Sequence, residues 1–208
     1  MKKFLIVPGI LAAGTLTLAA YGGGQPAFVA SPWSVDGAHT EINFSVRHFF
    51  TPVSGTFDNY QVKLDFDPDY PKNSTIEVQI NVASVNTGNE KRDNHLRSGD
   101  WFEAEKYPHI TFKSTSVEKV GADQLLAKGK LTIKDVSKDV ELKVTLLGVK
   151  DIPEQMRGML GGVVQVASFQ AITKLDRRDY GVGVGSWAET MIVGADVEIE
   201  MAVEANHK

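Results

Sequence analysis

The residues that could do chemistry are concentrated in one charged segment, residues 83–115. Arg92, His95 and Arg97 could bind a phosphate or another anionic group, because guanidinium and imidazolium groups form charge-assisted hydrogen bonds with anions. His95, Asp93 and Arg92 could instead serve the catalytic site of an enzyme. The alternative interpretation is a solvated helix face with local salt bridges.

The sequence contains only weak matches to the motifs of metal sites, catalytic nucleophiles and nucleotide-binding sites. The histidines show neither HExxH nor HxH spacing, and a site made from His39, His48 and a carboxylate would need convergence in space. The run at residues 185–188, GSWA, lacks the last glycine of a nucleophile elbow. The glycines at 181, 183 and 185 lack the strand and helix of a dinucleotide site. We therefore predict no metal, no cofactor and no catalytic residue.

Composition and charge narrow the class of partner. The chain has 208 residues, 42% of them hydrophobic and 23% charged, and a net charge of −4. A mildly acidic chain without a polybasic run has no electrostatic basis for binding nucleic acid or an anionic membrane. For Arg177 and Arg178, as for the charged segment, the alternatives are an anion-binding site or a solvated surface with local salt bridges. Without cysteine, the chain forms no disulfide and no thiolate metal site.

The first 20 residues predict export. Lys2 and Lys3 precede an apolar run that ends in small residues, which is the layout of a signal peptide, and cleavage could fall as late as residue 30. A retained anchor is the alternative, although the run is short for a membrane span. We expect residues 21–32 to be a flexible linker, residues 33–208 to be one domain without a stable membrane span, and the protein to be periplasmic or secreted.

From Trp33 onward, apolar and polar residues alternate along most of the chain. Ile42, Phe44 and Val46, for example, alternate with polar neighbours. A period of two predicts antiparallel strands with one buried and one solvated face. Turn residues separate about eight such runs, and no strand–helix–strand alternation is present, so the expected fold is all-β, a closed barrel or a sandwich.

Two segments depart from the strand pattern. Thr87 as N-cap and Glu90 three residues later form a capping box, which predicts a short helix ending near residues 98–99. A second turn is expected over residues 103–106. Residues 163–173 are apolar or small on both faces, and we expect a helix or a partner subunit, as in a homodimer, to cover them.

Several ordered motifs resemble the YceI-like family of bacterial polyisoprenoid-binding proteins. The carriers of the resemblance are VDGAHTEINFSVRH at 35–48, GTF at 55–57, the charged segment, the run from 125 to 145 and the stretch from 169 to 181. The resemblance covers residues 34–204. It implies an extended, lipocalin-like, eight-stranded antiparallel barrel with one or two short helices. It also implies an apolar tunnel for a polyisoprenoid, a quinone tail or a similar lipid, and no established catalysis.

With that fold, the inward apolar rows become the predicted tunnel wall: Ile42, Phe44, Val46, Val62, Leu64, Phe66, Ile76, Val78, Ile80, Val140, Leu142, Val144, Phe169, Val197, Ile199 and Met201. The predicted lid or mouth consists of Arg92, His95, Leu96, Arg97, Trp101 and Phe102. The function expected is sequestration or transport of such a lipid. The alternatives are an enzyme acting on an isoprenoid at the mouth, and a stress-related interaction protein whose barrel is filled by side chains.

Overall fold

The computed structural model describes residues 31–208, so the expected signal peptide and the linker up to residue 30 lie outside the described residues. The strands are β1 Ser31–Val35, β2 Glu41–His48, β3 Thr51–Phe57, β4 Tyr60–Phe66, β5 Thr75–Asn81, β6 Val85–Asn86, β7 His109–Lys119, β8 Gln124–Ile133, β9 Val136–Asp151, β10 Gln165–Asp176 and β11 Val193–His207. The helices are α1 Glu90–Arg97 and α2 Glu154–Arg157, with short 3₁₀ turns at Pro71–Asn73, Val82–Ser84, Arg177–Tyr180 and Gly185–Trp187. No helix among these residues is long and apolar enough to cross a bilayer.

These strands occupy the eight positions of one closed antiparallel barrel. Both β1 and β2 pair with β11, at Val35 with Ala205 and at Ile42 with Met201, so they form one position interrupted at residues 36–40. In the same way, β3 and β4 form the second position and β5 and β6 the third. β7 to β11 complete the circle. The predicted eight-stranded all-β barrel is confirmed.

Alternating burial along the strands gives the barrel its core. In β8 the inward side chains Leu125, Ala127, Leu131 and Ile133 are buried, and their neighbours are partly or fully exposed. Every second residue therefore faces the interior, as the period of two requires.

One end of the barrel, the closed end, is filled by aromatic side chains. Trp33 donates from Nε1 to the carbonyl of Phe66 at 3.0 Å, and the Phe66 ring stands edge-on to Phe169 at 4.9 Å. The ring of His207, near the end of β11, lies 5.2 Å from Trp33. Packing of this kind leaves the opposite end of the barrel as the place for an opening.

Helix α1 begins later than the capping box predicts. The N-cap is Asn89, whose side chain accepts a hydrogen bond from the Arg92 amide. The prediction of Thr87 as the cap is wrong because Thr87 donates its amide and hydroxyl to the buried carboxylate of Asp93. The helix ends as expected, with Ser98 as C-cap.

The sequence of residues 163–173 predicts that a helix or a partner subunit covers both faces of this strand. In the part of the chain that the structure describes, no helix covers the outward face of β10. Ile172 is 42% exposed, and Val166, Ser168 and Gln170 are half-buried. Gln170 instead donates to the Glu200 carboxylate on neighbouring β11. Ser168, Gln170 and Lys174 separate the apolar Val166 and Ile172 on this face, so it is not a continuous apolar surface.

Candidate functional site

The barrel encloses an apolar cavity of about 120 Å³, here called the inner cavity. Predicted wall residues that line it are Ile42, Phe44, Val46, Val78, Ile80, Val140, Leu142, Val197, Ile199 and Met201. From the predicted lid, Leu96, Trp101 and Phe102 lie against it as well. Strands from opposite sides of the barrel and the segment after α1 thus converge on one apolar space.

The remaining predicted wall residues do not line the inner cavity. Leu64, Phe66, Val144 and Phe169 are buried in the packed core. Ile76 packs against that core half-buried, and the half-buried Val62 lines a separate pocket that it shares with Leu64. The aromatic packing of the closed end is the reason, because it fills the space that these side chains would otherwise face.

Sequence reasoning left several lining residues out. Those on the strands are Phe57, Ile110, Phe112, Leu131, Ile133, Thr173 and Leu175, and those on the loop after β10 are Arg177 and Val182. The strand residues on β7 and β8 follow the same period of two, so that rule could have found them. The loop residues carry no such signal.

A second cavity of about 450 Å³, here called the mouth cavity, lies beside the first and shares Phe44, Val46, Leu96 and Trp101 with it. It is also lined by His48, Val53, Thr87, Asn89, Lys91, Arg92, His95, Trp187 and Val193. An apolar interior therefore adjoins a rim that carries basic side chains. This arrangement suits a molecule with an apolar tail and a polar or anionic head.

The predicted mouth cations have different surroundings. Arg92 lines the mouth cavity and donates from Nε and Nη2 to the hydroxyl and carbonyl of Thr87, at 2.7 and 2.9 Å. Nε2 of His95, which also lines this cavity, lies 3.1 Å from the Asp100 carboxylate. Arg97 lines neither cavity. Its guanidinium donates to the carbonyls of Ala83 and Val85, both at 2.8 Å, and so fastens α1 to the preceding segment.

The enzyme alternative loses its acid–base pair in this geometry. Asp93 is buried, and its Oδ1 accepts from the Thr87 amide at 2.9 Å. The carboxylate is thereby used to hold the start of α1, and His95 pairs with Asp100 instead. Arg92, His95 and Asp93 therefore do not converge on a common reacting atom.

Arg177 is the most unusual charged group of the barrel. It is 3% exposed, and the five N–H groups of its guanidinium face five backbone carbonyls. These belong to Val182, Gly183, Trp187, Val193 and Gly194. Among residues 31–208 no carboxylate forms an ion pair with it, and the neighbouring Asp176 binds the exposed Arg178 at 2.6 Å. Desolvation by burial lowers the pKa of the Arg177 guanidinium.

The loop that Arg177 holds also fixes Trp101. The guanidinium carbon lies 5.1 Å from the indole ring, a cation–π distance. Gly183 has a φ of +59°, and a Cβ there would stand 2.6 Å from Trp101 Cζ3 and from Arg177 Nη1. Only glycine lets the loop approach this closely. Arg177, Gly183 and Trp101 thus form one packed unit beside the two cavities.

A cluster of titratable side chains lies at the other end of β2. Nδ1 of His39 is 3.0 Å from an Asp36 carboxylate oxygen and 3.7 Å from Glu204. Glu204 stands opposite the interruption at residues 36–40. His48 is at the far end of β2. The metal site considered above, with His39 and His48 as ligands, is therefore not formed. The hydrogen bond that His39 donates to the Asp36 carboxylate raises the pKa of His39, and the same bond lowers the pKa of Asp36.

We expect His39 to titrate above the ordinary value of 6.5. Its ion pair then contributes stability below the pKa of the unfolded chain, and this contribution is lost as the pH rises through the higher folded-state pKa. An NMR titration of the imidazole carbons measures the shift. In Asp36→Asn the pKa of His39 should fall back toward the ordinary value, whereas an unchanged pKa would contradict the assigned cause.

The strands and the inner cavity together define a closed antiparallel β-barrel with an apolar space inside it. A model of the YceI-like domain matches residues 33–205, and this chain belongs to that family. A UPF0312 protein of Vibrio cholerae serotype O1 is 31% identical over 211 residues, which is all of both chains. The protein YceI of Escherichia coli O157:H7 is 37% identical over 157 residues, 74% of this chain and 78% of the relative.

Solved structures show the same barrel. Burkholderia cenocepacia BcnA superposes with a TM-score of 0.73 at 26% identity, over 82% of this chain and 99% of that protein. A YCEI protein of Campylobacter jejuni gives 0.65 at 33% identity, over 76% and 86%. A polyisoprenoid binding domain from Saccharophagus degradans gives 0.59 at 16% identity, over 87% and 100%, and shares the fold.

Proposed function

We propose that the protein is an exported lipid-binding protein that holds a polyisoprenoid, a quinone or a similar long-chain amphiphile, for sequestration or transport. The observation that carries this proposal is the junction of an inner cavity lined mainly by apolar side chains with a mouth cavity that has basic residues at its rim. Family membership and the barrel shared with a polyisoprenoid binding domain support it. Export rests on the N-terminal sequence alone.

The volumes of the two cavities determine how much of a long apolar tail the barrel can hold. Ligand pockets generally measure about 300–1,000 Å³, and the inner cavity measures about 120 Å³. A long chain therefore needs the mouth cavity too, or a widening of the barrel. Leu96, in α1, and Phe102, just after this helix, are half-buried. Both belong to the segment between β6 and β7, residues 87–108, which is joined to the barrel only at its two ends. We propose that these two side chains move aside when the tail enters.

Head-group selectivity would come from the rim. Burial of an apolar tail contributes about 0.8 kcal/mol per CH₂ whichever lipid carries it, so the tail discriminates poorly between head groups. Lys91, Arg92 and His95 line the mouth cavity and can attract an anionic or strongly polar head. The acidic partner of His95, Asp100, moderates this attraction.

The test of the proposal is the identity of the bound molecule. Protein purified from its native host is extracted with organic solvent, the extract is analysed by mass spectrometry, and the delipidated protein is titrated with a polyprenol and with a ubiquinone. We expect a co-purifying isoprenoid and saturable binding of at least one added ligand. A protein that carries no lipid and binds neither ligand would rule the proposal out and favour a barrel filled by its own side chains.

A further inference from the structure

Four large apolar side chains are exposed at the mouth end of the barrel. Phe49 and Phe50 form the turn between β2 and β3, and Met191 and Ile192 lead into β11. Phe50 is 90% exposed and Met191 is 79% exposed, and the other two side chains are exposed as well. Exposed apolar groups that lie together commonly mark an interaction site. These four residues are here called the mouth patch.

Backbone pairing joins the two halves of the mouth patch and places them beside the mouth cavity. The Phe49 amide donates to the carbonyl of Ile192 at 2.7 Å. The adjoining residues, His48 and Val193, stand opposite each other in the sheet, and both line the mouth cavity. The rings of Phe49 and His48 meet edge-on at 4.9 Å. The patch is therefore at the opening, whereas the other end of β11, at His207, lies at the closed end.

The turn in the mouth patch departs from the residue preference of a two-residue hairpin. His48 pairs with Thr51, so Phe49 and Phe50 alone make the turn, and Phe49 has a φ of +49°. Such turns favour glycine, asparagine or aspartate, which adopt a positive φ at low cost, whereas a bulky side chain there is strained. An exposed side chain gains no packing in return. Positions that break a local rule without such a gain tend to be functional.

Cations without carboxylate partners lie next to the mouth patch. Arg47, Lys91 and Arg92 are exposed, and none of them forms an ion pair among residues 31–208. Arg47 precedes the patch on β2, and Lys91 and Arg92 line the mouth cavity. These cations come from two separate elements, which is why the sequence contains no polybasic run.

Apolar side chains bordered by cations fit the surface of a phospholipid bilayer. The apolar groups enter the acyl region, and the cations pair with the lipid phosphates. Glu189 is exposed two residues before Met191 and offsets part of the attraction to phosphate. Insertion of the apolar side chains therefore provides most of the binding.

We propose that the mouth patch docks the barrel on the surface of a phospholipid bilayer, with Phe50 and Met191 inserted at the level of the acyl chains. The mouth cavity then faces the bilayer, and a lipid tail can enter the barrel without crossing water. This role in loading rests on the proposed lipid-binding function, whereas the docking itself does not.

The test is flotation of the purified protein with vesicles of equal parts phosphatidylcholine and phosphatidylglycerol, which contain no isoprenoid and no quinone. We expect the unmodified protein to float with the vesicles. Phe50→Glu and Met191→Glu should each weaken the apparent affinity about tenfold or more, as the loss of one buried large apolar side chain predicts. Both side chains are exposed in the free protein, so these variants should keep its melting temperature.

Met159→Glu is the matched control. Met159 is 78% exposed, much like Met191, but it lies between α2 and β10. This connection belongs to the closed end, because Val164 in it donates its amide to the carbonyl of His207. The same change of side chain there should leave vesicle binding unchanged.

The lack of cysteine in the chain permits a second readout. A polarity-sensitive dye is attached to Met191→Cys and, for comparison, to Met159→Cys. On addition of vesicles the emission of the dye at position 191 should shift to the blue, since the dye enters an apolar environment. The emission at position 159 should not change.

Three outcomes would overturn the assignment. The first is an unmodified protein that does not float with the vesicles. The second is a Phe50→Glu and a Met191→Glu variant that bind as well as the unmodified protein, or no better than Met159→Glu. The third is an unmodified dimer that Phe50→Glu dissociates without a change in vesicle binding, which would make the patch an interface between copies of this chain.

Failure of the docking and failure of the proposed function are distinguishable, because the vesicles carry no isoprenoid. A protein that floats through the mouth patch but carries and binds no isoprenoid or quinone keeps the docking surface and loses the proposed function. A protein that binds such a lipid but does not float keeps the proposed function and loses the docking surface.

Discussion

Replacing Arg177 with methionine is expected to lower the free energy of unfolding by about 4 kcal/mol, the range seen when one partner of a buried charged network is removed. Methionine fills much of the same volume but leaves the five carbonyls of the loop without donors. The loop from 182 to 194 would lose the anchor that holds it against Trp101. Urea denaturation followed by tryptophan fluorescence measures the change.

Arg178→Met is the matched control, because Arg178 is exposed and pairs with Asp176. Exposed ion pairs contribute about 0–1 kcal/mol, so this variant should unfold close to the unmodified protein. Arg177→Lys should recover only part of the loss, since an ammonium has three donors and no planar fork. Similar midpoints for Arg177→Met and Arg178→Met would show that the carbonyl network contributes little.

Filling the inner cavity should abolish most ligand binding. Val140 on β9 lines the cavity of about 120 Å³, and Val140→Trp would occupy much of that space. We expect affinity for a polyprenol to fall by about tenfold or more, which corresponds to at least 1.4 kcal/mol of lost tail burial. The same change should cost about 1–3 kcal/mol of stability by overpacking. Fluorescence titration and urea denaturation measure the two effects separately.

Lys143→Trp serves as the control for that variant. Lys143 is on the same strand with its side chain exposed on the outside of the barrel. The added indole there should leave polyprenol affinity unchanged. If both variants bound the lipid as well as the unmodified protein does, the ligand would not occupy the inner cavity, and the site would have to be sought at the mouth.

The barrel and much of the inner wall could be predicted because strand periodicity is a local property. Ile42, Phe44 and Val46 alternate with polar residues, and this alone orients them inward in any antiparallel barrel. How deep each residue lies is not local. Phe66 and Phe169 follow the same pattern as Phe44, but at the closed end Phe66 packs against both Trp33 and Phe169, and only the assembled strands reveal these contacts.

The roles of polar residues were harder to predict, for two reasons. Some bind partners that are distant in the sequence, and others have a neighbour that could fill the same role equally well. Thr87 and Asn89 are both good N-caps, and the buried Asp93 decides between them by binding Thr87. Arg92 and Arg97 look alike in the sequence, yet the carbonyls of Ala83 and Val85 hold only Arg97.

Arg177 could not have been distinguished from Arg178 by any local rule. Its acceptors lie between 5 and 17 residues along the chain, from the segment that follows its own 3₁₀ turn to the first two residues of β11. Trp101 presents the same difficulty. An indole in a charged segment predicts burial, but its packing against Gly183 and the Arg177 guanidinium is visible only once the whole surroundings are in place.

The seam of the barrel has a consequence for how the chain folds. β1 and β2 find their partner in β11, and the hydrogen bond between Thr40 and Glu204 joins residues 164 apart in the sequence. Contacts of such separation carry the entropy cost of a very long loop and slow the folding rate. The hairpin of β8 and β9 can form early, but the barrel cannot close before its final strand has been synthesised. Until then β1 and β10 present open strand edges, so the interval before β11 docks is when this chain is most prone to aggregate.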